Sequence, residues 1–292
     1  MRNFENYHPI AVAVYIFCVS GMAMFCMNPV LLLVSLAGAL VLFFMRNGRR
    51  HLSSHLILFG LFLIIAVINP LFYHNGVTVL FVLNDRPITL EALIYGGVAS
   101  VMVMAVLYWF RSFSQIMTSD RLLYIFGKMS PKLALTLSMG LRYVPLFARQ
   151  SKKTDQAQTA LGLYKDDNII DRIRGKLRVF SVLVTWGIEN GIVSADSMAA
   201  RGYGACERTH FSTFRFRKGD VLLLTASIVL TALTCISLAV GSLDVTYYPA
   251  FVLADITPMT YVGYISYALL ALIPTFIETE EKIKWKYLKS KI

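Results

Sequence analysis

Charge is scarce in this sequence. Only 15% of its 292 residues are charged, against 57% hydrophobic. A soluble domain carries about 25% charged residues, so this composition does not suit a cytosolic enzyme. Acidic residues are the scarcer sign, 17 against 28 lysines and arginines, a net charge of +11. A basic balance alone fits nucleic acid or a membrane surface, and the positions of the charges decide between them. Cysteine is sparse too. Cys18, Cys26, Cys206 and Cys235 contain no C-x-x-C pair, so neither a disulfide framework nor a zinc site is supported. The phosphate-loop pattern G-x-x-x-x-G-K-[ST] and the zinc-protease signature are both missing. His51 and His55 share the i, i+4 spacing without a carboxylate nearby, and they read as interfacial histidines. No catalytic residue, metal ligand or cofactor site is assigned.

Long apolar runs are abundant. Six are long enough, or nearly so, to cross a hydrocarbon core that needs about 20 residues. They are Pro9 to Met27, Pro29 to Met45, Leu56 to Leu71, Leu90 to Phe110, Val221 to Val240 and Thr260 to Ile277. Their interiors are almost free of ionisable groups. That argues against a proton-coupled carrier and an intramembrane enzyme, both of which place charge inside the membrane. The first run follows Arg2 like a leader peptide, but it is too long for one and a second run follows at once. It is expected to be retained.

Threading these spans sorts the loops into two classes. One holds the N-terminus, residues 46–51, residues 111–218 and the lysine-rich tail, with 27 of the 28 lysines and arginines. The other holds Asn28, residues 72–89 and residues 241–259, with Arg86 alone. By the positive-inside rule both termini and the central block are cytoplasmic. Arg46, Arg49, Arg50 and the five tail lysines give this orientation without the long block. The expected organisation is a membrane part of four spans at 1–110 with an exterior hairpin near 77–89, a cytosolic block at 111–218, and two spans with a basic tail at 219–292. The partner implied is a lipid bilayer, not nucleic acid.

The central block reads as helices. Ser119-Asp120 suits the start of a short one. Ser130-Pro131 pairs a capping hydroxyl with proline at the first helical position. The helix it opens is expected to reach about Leu163, with a kink near Pro145. Asp167-Asn168 starts the next, which should run to Ala200 or Arg201 and stop at Gly202. Residues 179–193 are nearly all hydrophobic, as for a helix at the inner membrane surface covered by other protein. Gly187, Gly191, Ala195 and Ala199 recur every four residues, and Ala92, Gly96 and Ser100 do the same in the fourth span. Small residues at this spacing admit another helix backbone, whether of this chain or of a partner.

Four motifs stand in order along the chain: Asn69-Pro70 followed by Gly76 and Thr78; Leu141-Arg142-Tyr143-Val144-Pro145; Ala157-Gln158 followed by Ala160-Leu161-Gly162; and Ala200-Arg201-Gly202-Tyr203. Taken alone, Arg201-Gly202 is an ordinary helix end, a cation in the last turn and glycine just past it. Within this topology the set resembles the transmembrane (T) component of energy-coupling factor transporters, the family that includes the cobalt-uptake membrane subunit. Leu161 departs from the pattern, which has arginine at that position of the first motif.

The resemblance implies an all-α polytopic protein of a bacterial or archaeal cell membrane, with long cytosolic coupling helices and no catalysis of its own. It implies two ABC ATPases as partners, gripped by the tips Ala160-Leu161-Gly162 and Ala200-Arg201-Gly202, with Arg142 and Pro145 as the coupling-helix signature. It implies a separate membrane subunit that binds a vitamin or metal ion. Arginine suits a docking tip because its planar fork bonds a carboxylate and backbone carbonyls together. Two other classes remain open: an ordinary ABC permease that forms the substrate path itself, and a membrane-bound lipid-modifying enzyme. Asp166-Asp167 with Asp171 is the nearest acidic cluster for the latter, and it reads better as helix-start charge.

Overall fold

A computed structural model describes residues 4–47, 52–73, 76–83, 86–163, 169–205 and 214–290. The hairpin tip Asn84-Asp85, the Asp166-Asp167-Asn168 start signal, His51 and Cys206 lie outside the described residues. The chain divides into two compact units. One comprises Met1–Arg121 with Phe214–Ile292, the other Leu122–Thr213.

The first unit is built from six apolar helices: α1 (Pro9–Phe25), α2 (Pro29–Asn47), α3 (Leu52–Phe72), α4 (Leu90–Ile116), α8 (Lys218–Ala239) and α9 (Pro258–Lys289). Five are long and apolar enough to cross a membrane; α1, with 17 residues, is shorter. α4 packs against α1, α2 and α3, while α9 packs against α2 and α8. The core they share holds Tyr15, Trp109, Phe43, Tyr267 and Leu270, all nearly fully buried.

Hydroxyl and indole donors in that core reach across helices. Tyr15 donates to the Leu270 carbonyl at 2.7 Å and Tyr267 to the Val19 carbonyl at 3.3 Å. Trp109 Nε1 donates to Ser35 Oγ at 3.1 Å, and Thr234 bonds Ser266 at 3.0 Å. Such bonds average about 0.6 kcal/mol in a membrane protein, so their main role is to fix which helices are neighbours.

Two carboxylates of the first unit sit in the first turns of helices. Asp220, fully buried in the first turn of α8, accepts from the backbone N–H of His8 at 2.9 Å and of Arg217 at 2.8 Å. Glu91, in the first turn of α4, accepts from the Thr78 hydroxyl at 2.7 Å. A carboxylate at a helix N-terminus is stabilised by the free N–H groups there. His55 Nδ1 bonds Tyr108 Oη at 2.7 Å and its ring stacks on Phe44, so this histidine serves packing.

The expected hairpin is present as β1 (Val79–Leu83) paired antiparallel with β2 (Arg86–Thr89). A second pair of two-residue strands, β3 (Val245–Thr246) and β4 (Val252–Leu253), lies between α8 and α9. Beside it Tyr247 donates to the Met27 carbonyl, and burial pushes its hydroxyl up to about 12.

In the central block α5 (Ser119–Met129) leads to α6 (Pro131–Ala160) and α7 (Ile169–Ala200). α6 starts where Ser130-Pro131 places it, but the Ser130 hydroxyl makes no capping bond; the start rests on proline at the first helical position. The helix runs unbroken through Pro145 and ends at Ala160, three residues short of the expected Leu163, because glycine closes it early.

Candidate functional site

The second unit centres on α6 and α7, which run antiparallel. Tyr143 of α6 meets Asn190 and Ser194 of α7; Phe147 meets Trp186; Asp155 meets Lys176 at 3.7 Å. Numbers rise along one helix as they fall along the other. The tips Leu161 and Arg201 therefore lie at opposite ends of the pair, about 45 Å apart at 1.5 Å per residue over thirty residues.

The two tips share one backbone. At the first, Leu161 N–H bonds the Ala157 carbonyl, Gly162 bonds Thr159 and Leu163 bonds Gln158, at 3.0 to 3.1 Å. At the second, Arg201 bonds Ser197, Gly202 bonds Ala199 and Tyr203 bonds Met198, at 3.0 to 3.2 Å. Each contact recurs forty residues later. Gly162 and Gly202 have φ of +66° and +80°, the left-handed conformation in which a glycine ends a helix. In each, the residue before the glycine points outward: Leu161 is 74% exposed and Arg201 is exposed. The departure from the pattern at Leu161 thus changes the side chain and leaves the backbone alone.

Arg142 and Arg201 border the same cleft. It has a volume of about 350 Å³ and is also lined by Tyr143, Asn190, Ser194 and Ser197. Tyr143 donates to the Asn190 carbonyl at 3.2 Å and lies 3.0 Å from Ser194 Oγ. Asn190 Nδ2 bonds the Trp186 carbonyl at 2.8 Å. Pro145, one turn from Arg142, carries no N–H for the Leu141 carbonyl. Sequence reasoning placed Arg142 and Arg201 separately and missed Asn190, Ser194 and Ser197. Their signal was present: polar residues spaced four, three and four along an apolar helix, in line with Arg201.

The small-residue positions have different surroundings. Ala92, Gly96 and Ser100 are buried, and a Cβ on Gly96 would lie 2.8 Å from the Ala66 carbonyl of α3. That run is where α3 packs on α4. On α7 a Cβ at Gly187 would lie 2.7 Å from the Phe147 ring, whereas Gly191 meets nothing within 4 Å, and Ala195 and Ala199 are exposed. A four-residue step over-rotates by about 40°, so the run winds from the α6 interface into the open.

Apolar helices of spanning length, joined by internal hydrogen bonds, define a multi-pass membrane protein. The chain belongs to the cobalt transport protein family, CbiQ, which it matches over residues 6–211. It is also similar to the energy-coupling factor transporter transmembrane protein EcfT 1 of Listeria monocytogenes, at 30% identity over 102 residues, 34% of this chain and 38% of the relative. EcfT of Listeria innocua is 34% identical over 104 residues, 35% of this chain and 39% of the relative. EcfT of Thermotoga maritima is 25% identical over 213 residues, 69% of this chain and 78% of the relative. The match thus spans about two fifths of the Listeria relatives and most of the Thermotoga one.

Proposed function

We propose that this chain is the membrane coupling subunit of an energy-coupling factor importer. It joins two cytosolic ABC ATPases to a separate substrate-binding membrane subunit for a vitamin or metal ion, and it carries ATP-driven motion from one to the other. Both termini and the α5–α7 block face the cytoplasm. The single observation that carries this reading is the repeated tip: two ends of one stiff helix pair close in the same glycine cap, each presenting an exposed residue before the glycine. Two like tips suit two like partners. The family match and the EcfT relatives support the reading, as does the cleft that Arg142 and Arg201 both line.

The test is co-expression with ABC ATPases encoded beside this gene, followed by purification in mild detergent. The ATPases should co-purify in a pair, and ATP hydrolysis should appear only when they are present. Sustained hydrolysis by the chain alone, after trace ATPases are removed, sinks the proposal.

A further inference from the structure

The cleft between α6 and α7 holds more than the tip motif requires. Two guanidinium groups border it, Arg142 from the middle of α6 and Arg201 from the end of α7. No acidic residue lines it, and among the described residues neither arginine forms an ion pair. Two like charges beside one open space repel each other until an anion enters.

Hydrogen bonds hold the polar side chains that line the cleft with them. Tyr143 and Ser194 bond each other and the Asn190 carbonyl, and Ser197 Oγ bonds the Val193 carbonyl at 2.7 Å. The remaining lining is apolar: Met139, Leu146, Val193 and Met198. A space lined by two arginines and four apolar side chains fits a short methylene stem ending in a carboxylate. A phosphate, hydrated on all sides, gains nothing from the four apolar side chains.

We propose that this cleft seats an acidic side chain presented by a protein partner, held between the forks of Arg142 and Arg201. Arg142 is then a second docking residue, which the Ala-Arg-Gly tip does not contain. The identity of the partner as an ABC ATPase rests on the function proposed above; the carboxylate seat does not.

The full-length chain in mild detergent is titrated with a fluorescent hexaglutamate peptide at low and high salt. Arg142→Ala and Arg201→Ala should each weaken binding about tenfold. The double variant should lose less than the product of the two, because two forks on one carboxylate act as a unit. Arg142→Lys should recover only part of the loss, since an ammonium cannot form the bidentate pair. Lys152→Ala, exposed on α6 outside the cleft, should bind like the parent.

Equal losses in Arg142→Ala and Lys152→Ala would reveal diffuse attraction to a basic chain and overturn the seat. So would an unbound peptide. Displacement of the peptide by inorganic phosphate more readily than by glutarate overturns the carboxylate assignment. Capture of the ABC ATPases is measured on the same variants. If the peptide behaves as expected while the parent chain captures no ATPase, the coupling function fails and the cleft stands. If ATPases are captured equally by the parent and by Arg142→Ala, the seat is not used in docking and the proposal falls.

Discussion

Arg201 and Leu161 occupy equivalent places on equivalent backbones, so exchanging them isolates side-chain chemistry from helix geometry. Removing one partner of a desolvated charge pair costs about 2 to 5 kcal/mol. Losing a cation from a helix end costs about 0.3 to 1 kcal/mol of helix stability and leaves partner binding alone. Arg201→Ala is therefore expected to weaken ATPase capture by the larger amount at unchanged membrane level, with Leu161→Ala milder and Leu161→Arg tolerated. Quantitative pull-down of the ATPases with each variant checks this. Near-normal capture by Arg201→Ala returns the residue to an ordinary cap. The two tips were legible in the sequence because a small residue, an exposed residue and glycine mark a helix end. The serine and asparagine wall was not, because those residues acquire a role only when α6 lies beside α7.

Helix ends and seams carry the next set of expectations. Gly96 lies against the α3 backbone with no room for a side chain. Overpacking a seam costs about 1 to 3 kcal/mol, so Gly96→Leu should lower the melting temperature of the purified chain. Gly191 has open space around it, and Gly191→Leu should leave that temperature unchanged. An equal drop for both would contradict the packing described. Asp220 is held by two backbone donors in a buried helix start. Asp220→Ala strands both at about 1 to 3 kcal/mol, and Asp220→Asn, which keeps one acceptor, should fall between; thermal unfolding in detergent ranks the three. At this scale the spans, the first hairpin and the stop at Gly202 were legible from apolar length, β-branched alternation and glycine. The β3–β4 pair was not: two residues per strand give no period to read. Nor was the outcome at Ser130, since a hydroxyl that suits a cap still takes whichever rotamer its surroundings favour.

At the scale of the molecule, loop charge gives the expected orientation. α9 has 32 residues, about 48 Å of helix against a hydrocarbon core near 30 Å. Its last turns, with Lys282, Lys284, Lys286 and Lys289, therefore extend past the core on the side expected to be cytoplasmic. Single cysteines replacing Val77 and Asp255, both exposed, in a background lacking the native four, should react with an impermeant thiol reagent on intact cells. Cysteines replacing Arg215 and Lys286 should react only after lysis. The opposite pattern inverts the topology. Six apolar helices and the unequal loop charge were readable from sequence alone, although α1 falls short of the other five in length. Which spans touch was not, because every apolar face looks alike until the tyrosine, serine and tryptophan donors choose their acceptors.

The antiparallel pair with a cap at each end behaves as a seesaw. Tilting it by about 10° around its middle moves each end by about 4 Å, given a half-length near 22 Å, and in opposite directions. Sliding it along its axis moves both ends together. Two bodies holding the two ends therefore cannot bring those ends closer while the beam stays straight and intact: it must bend, its two helices must slide past each other, or one end must be released. The end that grips more weakly is the one that lets go, and the sequence has already made the two ends unequal.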